Sequence, residues 1–476
     1  MLSLLSSFLV AQVVTAPLPP AQSEFITQPQ EIRSLPGKLN DIPVFNSNSP
    51  EVVQSSGILL SAFPPTGKSD PRAHLNKPLS GRFDFFSHHI ARTPDSRTLY
   101  QGVIVENPSD RFVTLKVLQG ASYLTSPDAP FVELPAVIED PSGQIFSGPG
   151  SRLTSDILRG ASQSTFPRQL IIPPRQSTML FVLPITASNA RSTYLRLESD
   201  GPVYLANLAM YAIAEMPVET EPAKEGAKEP PVPVVPKLRA PVLPEWQAML
   251  DRGTLVFPRD KVPTPPNQIA ANSPTRPIYG RVSGISVGSE WKTLLVDKPG
   301  LKYLSIPERG KAFSYPLSTL SVGTHGTSQV QSAPMLVRYP DTAYLANGNY
   351  GVHYQLTLPL RNKTENRQSV SLTLQTPIKQ DRYGDRLFFV NHPSGQVFFR
   401  GTVKMSYTDD RGQQQERFFH LTQRQGQLGD PLVLLNLSPG EQRQVTIDFL
   451  YPPDATPPQV VTVKTEDLYY GGVLQR

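Results

Sequence analysis

The chain has 476 residues, 51 of them proline and none cysteine, with 18% charged residues and a formal net charge of +5. The lack of cysteine excludes disulfides, thiolate-held zinc, iron–sulfur clusters and thiol nucleophiles. A proline share near double the usual ~5% argues against long helices, because an interior proline costs a helix about 3 kcal/mol. The positive excess is too dilute and unclustered to point to nucleic acid, and a 38% hydrophobic content excludes a multi-span membrane protein.

From the N-terminus, Met1 to Ala16 reads MLSLLSSFLVAQVVTA, an uncharged apolar run too short to span a bilayer. Val14-Thr-Ala16 offers small residues where a signal peptidase reads them, but no Lys or Arg precedes the run and Pro17 follows it. A signal peptide over residues 1–21 is expected, cleaved as late as Ala21, and with it export. Residues 22–214 are expected to form a first β module. Val113, Leu115 and Val117 alternate with Thr114 and Lys116, the period of a half-buried strand, after the turn cluster Asn107-Pro-Ser-Asp110. Further strands are predicted around Leu180 and Val182, at Tyr194-Leu-Arg-Leu197, and over Val203 to Tyr211. A short helix is predicted over Ser151 to Arg159, closed by Gly160.

Residues 215–244 carry eight prolines with alternating Glu and Lys, too little apolar surface for a core, and read as a semi-rigid linker. A second module is expected over 245–476. It opens with a short helix, Glu245 to Arg252, and a proline-rich loop, 258–277. The strand grammar then recurs. Tyr354, Leu356, Leu358 and Leu360 alternate with polar residues ahead of Asn362-Lys-Thr-Glu365, and Val370, Leu372 and Leu374 follow. Strands Val403 to Thr408 and Glu416 to Leu421 flank the turn Asp409-Asp-Arg-Gly412, a hairpin signal. Asn107 and Asn362 lie 255 residues apart, and Pro174 and Pro439 lie 265 apart, a near-constant offset that suggests two copies of one module. The expected fold is all-β: two antiparallel β-sandwiches of immunoglobulin-like type joined by the proline-rich linker.

The chemistry-bearing residues are sparse. Gly284-Ile-Ser286-Val-Gly288 matches the nucleophile-elbow pattern, with Asp297 and His325 following in the right order, but the required strand–helix alternation is missing. Asp84, His88 and His89 are metal-ligand types, yet adjacent histidines on a strand point to opposite faces. His74, His325, His353, His392 and His420 are scattered without ligand spacing. Asp409-Asp410 and Glu139-Asp140 sit in turn contexts, where aspartate bonds its own backbone. Thr66-Gly67-Lys68 lacks the upstream glycine of a phosphate loop. Only Trp246 and Trp291 could supply tryptophan platforms for sugars, and most Phe and Tyr read as core or cross-strand pairs. Asn362-Lys-Thr364 and Asn436-Leu-Ser438 fit the glycosylation pattern. No catalytic, cofactor or metal residue is therefore predicted.

The segments Leu39-Asn-Asp-Ile-Pro-Val-Phe-Asn-Ser-Asn-Ser-Pro-Glu51, Gly57-Ile-Leu-Leu-Ser-Ala-Phe-Pro-Pro65, His74-Leu-Asn and Gly81-Arg-Phe-Asp-Phe-Phe-Ser-His-His-Ile-Ala91 form one set. The set resembles a family of uncharacterised cyanobacterial proteins carrying a domain of unknown function. That resemblance implies a cyanobacterial source and export, and it supplies no activity, cofactor or catalytic residue. The expected function is that of an exported, non-enzymatic scaffold or binding protein of the bacterial cell envelope, with a protein or glycan partner, no nucleic acid and no integral membrane span. The alternatives are a carbohydrate-binding protein acting on envelope or exopolysaccharide glycans, and a secreted serine hydrolase using Ser286.

Overall fold

The computed structural model describes residues 24–93, 95–215, 237–269 and 276–467. The expected signal peptide over 1–21, and residues 216–236 of the expected linker, lie outside them. Strands account for 46% of the structure and helices for 6%, mostly in antiparallel pairing, so the protein is all-β as its periodicities predict. No helix among the described residues is long and apolar enough to cross a membrane.

The first lobe is built on a sheet in the order Gln169–Ile172, Val113–Leu124, Ala190–Tyr211, Leu79–Ala91, Pro43–Ser47, Ser283–Val287 and Ala333–Arg338. The predicted strands at 194–197 and 203–211 are one strand, Ala190–Tyr211. Its first half pairs with Leu79–Ala91 and Val113–Leu124, and its second half crosses to pair with Leu99–Glu106 and Gly57–Ser61. Phe45, Phe83 and Phe85 from one sheet meet Val103, Val105 and Phe181 from the other, a dry core stacked by period-two alternation. Helix Leu243–Arg252 covers the outer face of the second sheet with Trp246 and Leu250, one turn apart. The Glu245 carboxylate accepts the Val242 N–H at 2.8 Å and holds the start of that helix. The Trp246 ring lies on the backbone of Gly102, where any Cβ would come within 2.7 Å of the indole.

The second lobe pairs Glu290–Leu294, His353–Arg361, Gln442–Leu450, Val397–Thr408, Gln414–Arg424 and Val137–Glu139 in one sheet. Its other sheet runs Glu31–Ile32, Ala312–Leu317, Gln459–Thr465, Gln368–Gln375 and Val433–Leu437. Trp291, Tyr354, Phe399, Phe449 and Tyr451 form an aromatic stack in its core. The predicted hairpin forms, with Thr408 opposite Gln414 across the turn.

The strand partners do not follow the expected boundaries of 22–214 and 245–476. Ser283–Val287 inserts beside Pro43–Ser47 in the first lobe, while Phe25–Pro29, Glu31–Ile32 and Val137–Glu139 pair with strands of the second. Periodicity tells which face of a strand is apolar; it carries no information on which distant strand completes its ladder.

The predicted repeat has a structural counterpart. The order Gln169–Ile172, Val113–Leu124, Ala190–Tyr211, Leu79–Ala91 in the first lobe matches Val433–Leu437, Gln368–Gln375, Gln459–Thr465, Ala312–Leu317 in the second. Asn107 Nδ2 donates to the carbonyls of Arg111 (2.6 Å) and Ile172 (3.0 Å), and its Oδ1 accepts from Ser109 N (2.9 Å) and Oγ (2.7 Å). Asn362 repeats the constellation: Nδ2 to Asn366 O (2.8 Å) and Leu437 O (3.0 Å), Oδ1 from Thr364 N (2.9 Å) and Oγ1 (2.8 Å). Both asparagines are buried, so each clamps a turn onto an interior carbonyl.

The lobes meet at helix Pro149–Leu158, whose Leu153 and Ile157 pack with Val44, Phe86 and Tyr194 of the first lobe and Leu450 of the second. Beside it the Tyr194 hydroxyl donates to Asp84 at 2.7 Å. Arg196 donates to His353 Nδ1 at 3.3 Å, which leaves His353 Nε2–H to donate to Asp448. This line of polar contacts runs from one lobe into the other.

Candidate functional site: a cleft between the lobes

Strand Pro43–Ser47 lies between Leu79–Ala91, parallel to it, and Ser283–Val287, antiparallel to it. Alternation sends Phe45 and Ser47 inward and presents Asn46 and Asn48 on the opposite face. The same rule separates the adjacent histidines, as predicted. His89 is inside, its Nδ1–H donating to Pro50 O at 2.9 Å and its Nε2 beside Ser47 Oγ at 3.1 Å. Burial pushes its pKa down to about 3. His88 turns outward, with Nδ1 2.8 Å from Ser192 Oγ, and burial lowers its pKa as well.

Asn46, Asn48 and His88 form one wall of a cleft of about 740 Å³. Residues 259–261, 278–282 and 346–350 continue its lining, and Lys379 and Pro453 join it from the second lobe. Asn46 and Asn48 are only 5% and 6% exposed, and the Oδ1 of each has no protein partner. A buried acceptor left unmade costs about 1–3 kcal/mol, so the wall is primed for a hydrogen-bond donor. The cations of the cleft differ in their commitments. Arg259 grips Asp341 with two bonds, of 2.7 and 3.2 Å. Arg281 pairs with Glu51 and lies 3.9 Å from Asp260. Asp260 in turn accepts from Ser49 Oγ (2.8 Å) and Glu51 N (3.2 Å). Lys261 and Lys379 form no ion pair among the described residues.

The residues singled out from the sequence fall elsewhere. Ser286 is 2% exposed in the middle of strand Ser283–Val287, opposite Val44 and Met335. The flanking glycines answer to packing: a Cβ on Gly284 would lie 2.2 Å from Val337 O, and Gly288 has a φ of +113°. Asp297 instead accepts from Ser305 N at 2.8 Å and pairs with Lys363 at 3.4 Å. His325 is buried with both ring nitrogens unpartnered. None of the three bonds another.

Asp84 serves the lobe junction, His74 Nδ1 meets Ser61 Oγ at 2.8 Å, and His420 is buried without a ring partner. Asp409 closes its turn through Arg411 N and Gln413 N, both at 2.9 Å, and Asp410 binds Asn436 N at 3.0 Å. Glu139 pairs with Arg417, and Asp140 accepts from Gln144 N at 3.0 Å. Lys68 pairs with Asp251 at 2.6 Å. Trp246 and Trp291 are both core residues, and the acceptor asparagines Asn362 and Asn436 are buried. Asn46 and Asn48 went unnoticed in the sequence. The available signal was asparagine at alternate positions of a strand, against its low β propensity. Lys261, Lys379 and Arg281 sit in loops that carry no periodic signal.

The fold and cleft define an all-β protein of two packed lobes with a polar hollow at their junction. The family described as a protein of unknown function (DUF3370) matches residues 30–465, and the chain belongs to that family. No curated protein matches the chain. Among solved structures it is similar to tripeptidyl peptidase 2 (9% identity, TM-score 0.18, covering 87% of this chain and 24% of that one). It is also similar to Lac15 from a marine microbial metagenome (11%, 0.09, 78% and 50%) and to a multicopper oxidase from Campylobacter jejuni (8%, 0.10, 77% and 47%). The chain thus spans half or less of each of these proteins, and likenesses at such TM-scores carry no argument about fold or activity.

Proposed function

We propose that this protein is an exported, non-enzymatic binding protein of the bacterial cell envelope, and that the cleft between its lobes is the seat of a hydroxyl-rich ligand of the glycan class. The observation that carries this reading is the pair of asparagines, Asn46 and Asn48, that line the cleft with buried side-chain oxygens lacking a protein partner. Ligand hydroxyls can donate to such acceptors. Two lobes holding opposite walls give the site the preorganisation that weak sugar contacts need. Recognition then rests on amides and charges, since both tryptophans are committed to cores. Export is supported by the apolar leader Met1 to Ala16.

The test is a thermal-shift and calorimetric screen of the full chain against neutral and acidic oligosaccharides, repeated on an Asn46→Leu/Asn48→Leu variant. Binding that falls by about tenfold or more in the variant supports the reading, that being the scale of one lost buried hydrogen bond. Affinity unchanged by the double substitution sinks the cleft, and mature protein found in the cytosol on fractionation sinks the export.

A further inference from the structure

We propose that the ligand of the cleft is an acidic sugar, its carboxylate taken by the ammonium groups of Lys379 and Lys261 while its hydroxyls donate to Asn46 and Asn48. This rests on the cleft being a glycan seat and adds the charge of the glycan. Of the cations lining the cleft, the two arginines already have carboxylate partners, Arg259 in Asp341 and Arg281 in Glu51 and Asp260, with Arg259 Nη1 left unbonded. The two lysines are not, and they come from opposite sides, Lys261 from the first-lobe segment after Arg259 and Lys379 from the second-lobe segment after Gln368–Gln375.

Lys379 has an acidic neighbour in Asp381, but that carboxylate is occupied by Gly323 N at 2.9 Å and by Thr324 N and Oγ1 at 2.7 and 2.9 Å. Burial, reinforced by Arg276 and only partly offset by Asp381, pushes the Lys379 pKa down to about 8, the mark of a desolvated ammonium with no ion pair of its own. An anion supplied by the ligand removes that cost.

The kind of anion follows from the donors on offer. Phosphate is favoured by arginine forks free of carboxylates or by helix N-termini, and both arginines here already face carboxylates. Glu51 and Asp260 also stand in the wall and disfavour a dianion. A single carboxylate on a polyol, as in a hexuronate, fits two point-charge lysines beside amide acceptors.

The experiment is calorimetry on the full chain with trisaccharides of galacturonate, glucuronate and mannuronate, each beside the same sugar after reduction of its carboxyl groups. At least one uronate is expected to bind about tenfold or more tighter than its reduced form, the range of one charge-assisted contact. Lys379→Met is expected to bring the two forms to similar affinity, with Lys379→Arg retaining part of the preference. Lys261→Ala, at an exposed position that does not threaten folding, is expected to narrow the gap as well. Reduced sugars that bind as tightly as their acids overturn the acidic ligand and leave the glycan cleft standing. A preference that survives both lysine substitutions overturns the assignment of the anion seat. No binding of either form overturns both readings.

Discussion

His325 and His420 are buried imidazoles whose ring nitrogens find no partner, and burial pushes each pKa down to about 4. In the unfolded chain the same groups titrate near 6.5. The unfolded state therefore takes up protons first as pH falls. Stability from the neutral rings is complete above about pH 6.5 and drains away as pH falls towards 4, at up to about 1.4 kcal/mol per pH unit per ring. Asp84 and Asp454, whose burial raises their pKa, work in the opposite sense. A comparison with His420→Gln isolates one ring. Urea denaturation at pH 7 and 4.5 is expected to show the variant losing less stability than the parent over that interval, and equal losses would refute the assignment.

At the scale of the element, the paired asparagine turns are the clearest device. Each Nδ2 serves an interior carbonyl of a neighbouring strand, Ile172 O for Asn107 and Leu437 O for Asn362. A carboxylate has no hydrogen to donate, so Asn107→Asp and Asn362→Asp should each cost about 2–4 kcal/mol, adding the repulsion of two oxygens to the lost bond. Chemical denaturation checks this, and the two losses should be alike because the two constellations are. A loss at only one site would show that the repeat is geometric without being energetic. Alternation was legible here: Tyr354, Leu356, Leu358 and Leu360 are all buried as their spacing predicts. The turn asparagines were legible as turn residues, but their bonds to strands 65 and 75 residues away were not. The same holds for the candidate site. Asn46 and Asn48 mark one face of a strand in the sequence, yet their shared cleft with Lys379 exists only once two lobes meet.

For the whole molecule, the exchange of strands across the expected linker has a consequence for folding. Residues 283–287 complete the first lobe and residues 25–32 and 137–139 complete the second. A chain cut to residues 1–215 lacks helix Leu243–Arg252, whose Trp246 and Leu250 cover a first-lobe sheet, and one neighbour of Pro43–Ser47, exposing apolar faces and an open strand edge. Expressed alone, the fragments 1–215 and 237–476 are expected to be insoluble or unfolded. Co-expressed, they should copurify as one particle on size-exclusion chromatography. Two soluble, independently melting fragments would show that the lobes are autonomous.

The sequence by itself determined the all-β class, the short helices, the hairpin at Asp409–Gly412, the opposite pointing of His88 and His89, and the two matched turns. All of these follow from local rules: side-chain period, turn chemistry and the helix cost of proline. Only the tertiary structure decided which strands pair across hundreds of residues, that Ser286 lies inside a sheet, and that amides and unpaired lysines from separate lobes share one hollow. Those outcomes depend on which apolar faces find each other, and a backbone ladder gives the same hydrogen bonds to any partner strand that fits.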